Sequence, residues 1–154
     1  MRLGSVLTST ALLAVLSTSA QAAWQSIPGA ACSPLLGNQT TQFNKVGDTG
    51  YARIGAGSAW VSCPLHRTMF VRKLVYVNLN HPSARGTLCK IMRSNYLTGA
   101  ANSSSATAQG TGNVVAGFNI NITALGTMAA YDTYSVSCNV AQGTTIRGVS
   151  WEDN

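Results

Sequence analysis

The most reactive side chains in this sequence are four cysteines, Cys32, Cys63, Cys89 and Cys138. No two of them form a Cys-x-x-Cys pair, and neither histidine has a partner at metal-ligand spacing, so we expect no metal and no cofactor. Nothing in the sequence favours a nucleophilic cysteine. We therefore expect the four sulfurs to form two structural disulfides.

The pairing of these cysteines is open in principle, because four cysteines allow three connectivities. Strand phase gives a preference: Cys89 shares a strand face with Ile91, and Cys138 shares one with Val136, which favours a buried bridge between these two strands. That leaves Cys32 with Cys63. Each bridge would close a loop of tens of residues and stabilise the fold by about 3–4 kcal/mol.

This chain contains only four acidic residues, so it offers few candidates for catalysis by carboxylates. Asp48 lies in Gly47-Asp48-Thr49-Gly50, which looks like an aspartic-protease signature, but such enzymes need a second aspartate to share a proton. We interpret this tetrapeptide as a turn and Asp132 as a turn or capping acid. No Gly-x-Ser-x-Gly elbow is present. We therefore predict that the protein is not an enzyme.

The first twenty-two residues have the pattern of a secretory signal peptide. Arg2 gives a basic start, residues 6–16 are apolar and too few to span a bilayer, and Ala20 and Ala22 are small residues before a cut. We expect a secreted or extracellular protein, at the cell surface or in the periplasm. No further long apolar segment follows, so we expect no membrane span after cleavage.

Charged residues make up only 9% of the chain, against roughly a quarter in ordinary soluble domains. The formal net charge is +6, of which Arg2 in the predicted leader contributes one. The remaining basic residues are scattered without a run of more than two, which is typical of solubilising charge. We therefore expect no nucleic acid partner.

Alternating apolar and polar residues indicate an all-β fold. Residues 23–44 show no sustained period and are interpreted as an irregular N-terminal extension, followed by a β-sandwich domain over residues 45–154. Residues 80–86 have turn composition, and residues 98–113 suit either a polar edge strand or a loop. The predicted architecture is an antiparallel sandwich with jelly-roll or Greek-key connections, and its strands are expected near residues 58–63, 69–79, 87–93, 114–123, 131–140 and 144–151.

Three tyrosines are candidate ligand-binding residues, because exposed aromatic rings stack on the apolar faces of sugars. Tyr131 is expected on the strand face opposite Tyr134, and Tyr96 lies in a predicted loop. Tyr76 lies on the strand at 69–79, on the face opposite Val75 and Val77. The alternative, that these rings pack the core or cover sheet edges, stays open.

Three short runs carry a resemblance: residues 61–65 (Val-Ser-Cys-Pro-Leu), 86–91 (Gly-Thr-Leu-Cys-Lys-Ile) and 134–140 (Tyr-Ser-Val-Ser-Cys-Asn-Val). In this order they resemble a group of small exported bacterial proteins, mostly described as hypothetical, that have a Cys-Pro-Leu motif and two disulfides. The resemblance implies a bacterial source and two bridges. It implies no activity, since that group has none established.

Taken together, the sequence predicts a non-catalytic secreted protein with an extracellular structural or surface-associated role. Residues 23–44 are expected to pair with a neighbouring molecule or with the domain itself, so the predicted partners are a second copy or a cell-surface component. The alternative is a carbohydrate-binding, lectin-like module with a glycan as its ligand.

Overall fold

The computed structural model describes residues 23–48, 50–65, 74–95, 97–119, 125 and 132–153. Within these ranges the chain is all-β, as predicted, with two short 3-10 segments at Gly29–Ala31 and Gly37–Gln42. The predicted signal peptide lies outside the described residues. The strands are β1 (Ala23–Pro28), β2 (Ser33–Pro34), β3 (Phe43–Val46), β4 (Gly50–Arg53), β5 (Ser58–Leu65), β6 (Leu74–Asn95), β7 (Ala101–Asn119), β8 (Asp132–Ala141) and β9 (Thr145–Asp153).

All strand pairs are antiparallel, and β6 is the centre of the sheet. One side of β6 pairs with β7 along almost its whole length, while its other side pairs with β9 through its first half and with β8 through its second half. Strand β9 continues the sheet to β1 and β4, and β4 pairs with β3. Strand β8 continues it to β5 and β2.

The sheet bends at a bulge in β6 between His81 and Arg85, so residues 80–86, whose composition indicates a turn, lie within one continuous strand. The turn-forming residues are accommodated at the bend, where Pro82 is exposed. The buried His81 side chain bridges the bend: Nδ1 lies 3.1 Å from the Gly110 carbonyl oxygen, and Nε2 lies 2.9 Å from Thr87 Oγ1. Because the carbonyl can only accept, Nδ1 carries the proton and Nε2 accepts from the threonine hydroxyl.

The turn that joins β8 to β9 packs against the same bend. Gly143 has a φ of +79°, a conformation that L side chains rarely adopt, and a Cβ added to it would lie 2.9 Å from Pro82 Cγ. Strand β9 therefore pairs with the first half of β6 and β8 with the second half, and the turn that joins β8 to β9 lies opposite the bulge. The bend folds the sheet into two layers, as sandwiches do where strands change sheets through bulges.

The alternation predicted for the main strands is confirmed by burial. Val75, Val77 and Leu79 face the core from β6, and Val136 and Val140 face it from β8. Ser137 departs from the pattern, since it was expected to face outward and is buried. The inward side chains of both layers join in one apolar core, to which β9 contributes Ile146, Val149 and Trp151.

Of residues 98–113, which suit either a strand or a loop, residues 101–113 belong to strand β7 and are continuous with the strand predicted from residue 114, while residues 98–100 precede it. Strand β7 contains no charged residue and no proline. Among the described residues it pairs only with β6, so it is an edge strand of both layers.

Both expected disulfides are present, Cys32–Cys63 and Cys89–Cys138. Cys89 and Cys138 lie directly opposite each other on β6 and β8, and both are fully buried. Cys32 precedes β2 and ties this short strand to β5. The two disulfides thus cross-link two pairs of neighbouring strands, β2 with β5 and β6 with β8.

The N-terminal segment is part of the sheet, which corrects the expectation of an irregular extension over residues 23–44. Strand β1 pairs with β9 over six residues, and β2 pairs with β5. The pattern in the sequence is weak because Ile27 is the one side chain of residues 24–28 that is buried. The pairing is with the same chain, one of the two options predicted for this segment. No helix within the described ranges has the length and hydropathy needed to cross a membrane.

Candidate functional site

Of the three predicted ligand-binding tyrosines, Tyr76 is described, and Tyr96 and Tyr131 lie outside the described residues. Tyr76 is on the outer face of β6, on the layer formed by β1, β9, β6 and β7. Its register partners are Ser150 on β9 and Gly117 on β7. The prediction that it lies on the face opposite Val75 and Val77 is confirmed.

Tyr76 stacks on Trp24, which lies in the segment predicted to be irregular. The ring centroids are 5.6 Å apart and the planes are inclined by 24°. Trp24 is 55% exposed. On the other side, a Cβ added to Gly117 would lie 3.2 Å from the Tyr76 ring, so the absence of a side chain at Gly117 makes room for the ring. The pair forms an aromatic platform on the outer face of this layer.

A groove of about 410 Å³ begins beside this platform. Its floor is β9 at Gly148 and Ser150, and its sides are β1 and β6. Gly148 has to be a glycine, because an added Cβ would lie 2.7 Å from the Ile27 carbonyl oxygen. The polar groups of the groove come from Ser26, Asn78, Arg147 and Ser150.

The polar side chains of the groove follow one another along the direction of β9. Asn78 Nδ2 lies 3.5 Å from Ser150 Oγ, at the limit of a hydrogen bond, so both groups keep capacity for a ligand. Arg147 is exposed at the far end from the rings. We call Trp24, Tyr76, Ser26, Asn78, Ser150 and Arg147 together the ring-and-groove surface.

The arrangement can bind but offers no acid–base pair. A pocket of this size that combines apolar and polar groups is within the range of small-molecule sites. Asp132 is buried at the start of β8, where Asn95 Nδ2 donates to its Oδ1 at 2.9 Å and Arg93 Nε lies 3.5 Å from its Oδ2. Asp48 is exposed in the turn after β3, next to Gly47 with a φ of +58°, as the turn interpretation predicted.

A second aromatic cluster joins β3 and β4 but is enclosed. Phe43 and Tyr51 are stacked with centroids 5.0 Å apart, and the Arg53 guanidinium lies 5.1 Å from the Phe43 ring centre. Arg53 Nη2 donates to the Ala56 carbonyl oxygen at 2.7 Å. Burial raises the pKa of the Tyr51 hydroxyl above its usual value. All three side chains are buried, so we assign this cluster to packing.

On the opposite layer, Lys90 Nζ lies 5.5 Å from the centre of the Trp60 ring. This cation covers the ring. Within the described ranges, no group of three or more His, Cys, Asp and Glu side chains could hold a metal ion.

Sequence reasoning found Tyr76 and missed Trp24, Ser26 and Arg147. Strand β1 gives little signal in the sequence, because Ile27 is the one buried side chain of residues 24–28 and five residues are too few to distinguish a strand from a loop. No family profile matches the chain, and no curated protein matches it.

Proposed function

We propose that this chain is a non-catalytic secreted protein with a surface-associated role, which it performs by binding carbohydrate on the ring-and-groove surface. The observation that carries the proposal is the stacked pair of Trp24 and Tyr76, held on a rigid sheet beside a groove whose mainly apolar lining carries two serine hydroxyls, the Asn78 amide and the Arg147 guanidinium. Pyranose rings present apolar C–H faces and hydroxyl edges, and this surface offers a partner for each.

The rigidity of the platform supports this proposal. Tyr76 belongs to the central strand, and Trp24 is fixed by the six-residue pairing of β1 with β9. Rings that are already ordered lose little conformational freedom when a ligand binds. An exposed tryptophan on a flexible segment would carry a larger entropic cost.

The test is retention of the purified protein on a panel of insoluble polysaccharides and a glycan array. Trp24→Ala should weaken the binding by about tenfold or more, the effect of losing one ring contact of about 1.4 kcal/mol. Trp60→Ala is the matched control, because it removes the same ring from the opposite layer. Equal losses in both variants, or no retention of the wild-type protein on any glycan, would contradict the proposal.

A second candidate function is structural self-association, and the edge of β7 favours it. Exposed edge strands are usually protected by charge, proline or short length. Strand β7 is 19 residues long and has neither charge nor proline. Because β1 and β2 are occupied within the chain, this edge replaces residues 23–44 as the surface for pairing with a second copy.

Sedimentation velocity over a range of concentrations tests self-association. Thr107→Lys on β7, an exposed position, should shift the protein toward monomer by placing a charge on the edge. A wild-type protein that is monomeric at every concentration would remove this candidate and leave carbohydrate binding untouched.

A further inference from the structure

We infer that the ligand of the ring-and-groove surface is an acidic polysaccharide, with a sugar ring on Trp24 and a carboxylate on Arg147. This inference rests on the proposed carbohydrate-binding function and names its ligand class. It is drawn from the position of Arg147, which neither the core nor the sheet hydrogen bonding explains.

Arg147 is the extra residue of a bulge in β9. In the register, Asn78 is opposite Gly148 and Leu79 is opposite Ile146, so Arg147 has no partner on β6. Bulges of this kind redirect a side chain from the regular alternation and are frequent next to binding sites. Here the redirected residue is an arginine that lines the groove.

The Arg147 guanidinium is available to a ligand. The side chain is exposed, and no hydrogen bond or ion pair to another described residue engages it. Its planar fork of donors matches a carboxylate in a two-point contact, which is stronger and more directional than a contact to a neutral hydroxyl.

The spacing of the groups suits a chain of sugars. Tyr76 is opposite Ser150, and Arg147 is three residues further along β9, which is about 10 Å in a strand. Asn78 and Ser150 supply polar groups in between. A ligand therefore meets rings first, then neutral polar groups, then a positive charge.

The experiment compares polygalacturonate with its fully methyl-esterified form, which has the same sugar backbone and no carboxylate charge. Alginate and hyaluronate serve as further uronate polymers. Binding is measured by isothermal titration at low and high salt. Arg147→Gln should weaken binding to a uronate polymer by about tenfold or more, the loss of one charge-assisted contact. The same variant should weaken binding to the methyl ester much less, because the ester offers Arg147 no charged partner.

Two variants serve as controls. Lys45→Gln removes one positive charge from an exposed position on β3, outside the groove lining, and reports general attraction of the polymer. Arg147→Lys keeps the charge and loses the fork, so it should recover only part of the affinity. Trp24→Ala should weaken binding to both forms of the polymer alike.

The outcomes separate this inference from the proposed function. Equal binding of the acid and ester forms, or equal losses in Arg147→Gln and Lys45→Gln, would overturn the acidic ligand while carbohydrate binding stands. Binding of an unrelated single-stranded oligonucleotide as tightly as the uronate polymers would also overturn it. No retention of any glycan, with Trp24→Ala indistinguishable from wild type, would overturn both.

Discussion

Replacing the Cys89–Cys138 bridge by a pair of alanines should destabilise the protein by about 5–6 kcal/mol. The bridge joins residues 49 apart in sequence, and closing a loop of this length removes unfolded-state entropy worth about 4 kcal/mol. Both cysteines are fully buried, so the alanines also leave a cavity that costs about 1–2 kcal/mol. The second bridge, Cys32–Cys63, closes a loop of 31 residues and gives almost the same entropic term, about 3.7 kcal/mol.

The assay is urea denaturation of the oxidised wild type, the two alanine pairs and a Cys89→Val/Cys138→Val pair. The valines fill the cavity while the cross-link stays absent, so this variant should lose only the entropic part, about 4 kcal/mol. With a denaturant slope of about 2 kcal/mol per molar, that is a shift of about 2 M in the midpoint. A loss below about 1 kcal/mol for the valine pair would refute the loop-entropy reasoning. Equal losses for the alanine and valine pairs would refute the cavity term.

Three further perturbations follow from the geometry. The raised pKa of Tyr51 means that the unfolded state loses this proton first, so stability should fall as the pH rises above about 10, and Tyr51→Phe should flatten that part of a pH–stability curve. His81→Leu leaves the Gly110 carbonyl and the Thr87 hydroxyl without their partner and should cost about 2 kcal/mol or more in thermal or urea unfolding; a neutral result would mean that water replaces the imidazole. Gly148→Ala should separate β1 from β9, seen as faster amide exchange in β1 and weaker glycan retention, and unchanged exchange there would contradict the close approach to the Ile27 carbonyl.

The strands that could be predicted are those with a long run of alternating apolar and polar residues, in which both the inward and the outward positions can be recognised. In strand β8, the positions Val136, Cys138 and Val140, which the pattern indicated as inward, are all buried, and only Ser137 between them departs from the alternation. That phase also favoured the disulfide pairing that the structure contains. Residues 114–119 were equally clear, because Ala116 and Phe118 are buried and their neighbours are exposed.

The errors have a common physical cause. In each case the backbone conformation of a segment is set by the strands it pairs with and not by its own composition. Pro82 and Gly86 favour a turn, but the bend of the sheet accepts them as a bulge in one long strand. Strand β1 has too few inward residues to be recognised, and the edge of β9 supplies its hydrogen bonds. Trp24 becomes part of the candidate site only through that pairing, so no inspection of residues 23–44 alone would have placed it beside Tyr76.

The course of β6 and β7 through both layers has a consequence for how the molecule comes apart. A sandwich built from separate hairpins can open one sheet while the other persists, but here the same two strands belong to each layer, and β8 and β9 follow them on the opposite side. Opening one layer therefore disrupts the same two strands that the other layer needs for its own strand pairing. We therefore expect a single cooperative unit, in which the slowest amide hydrogens of both layers exchange through the same global opening.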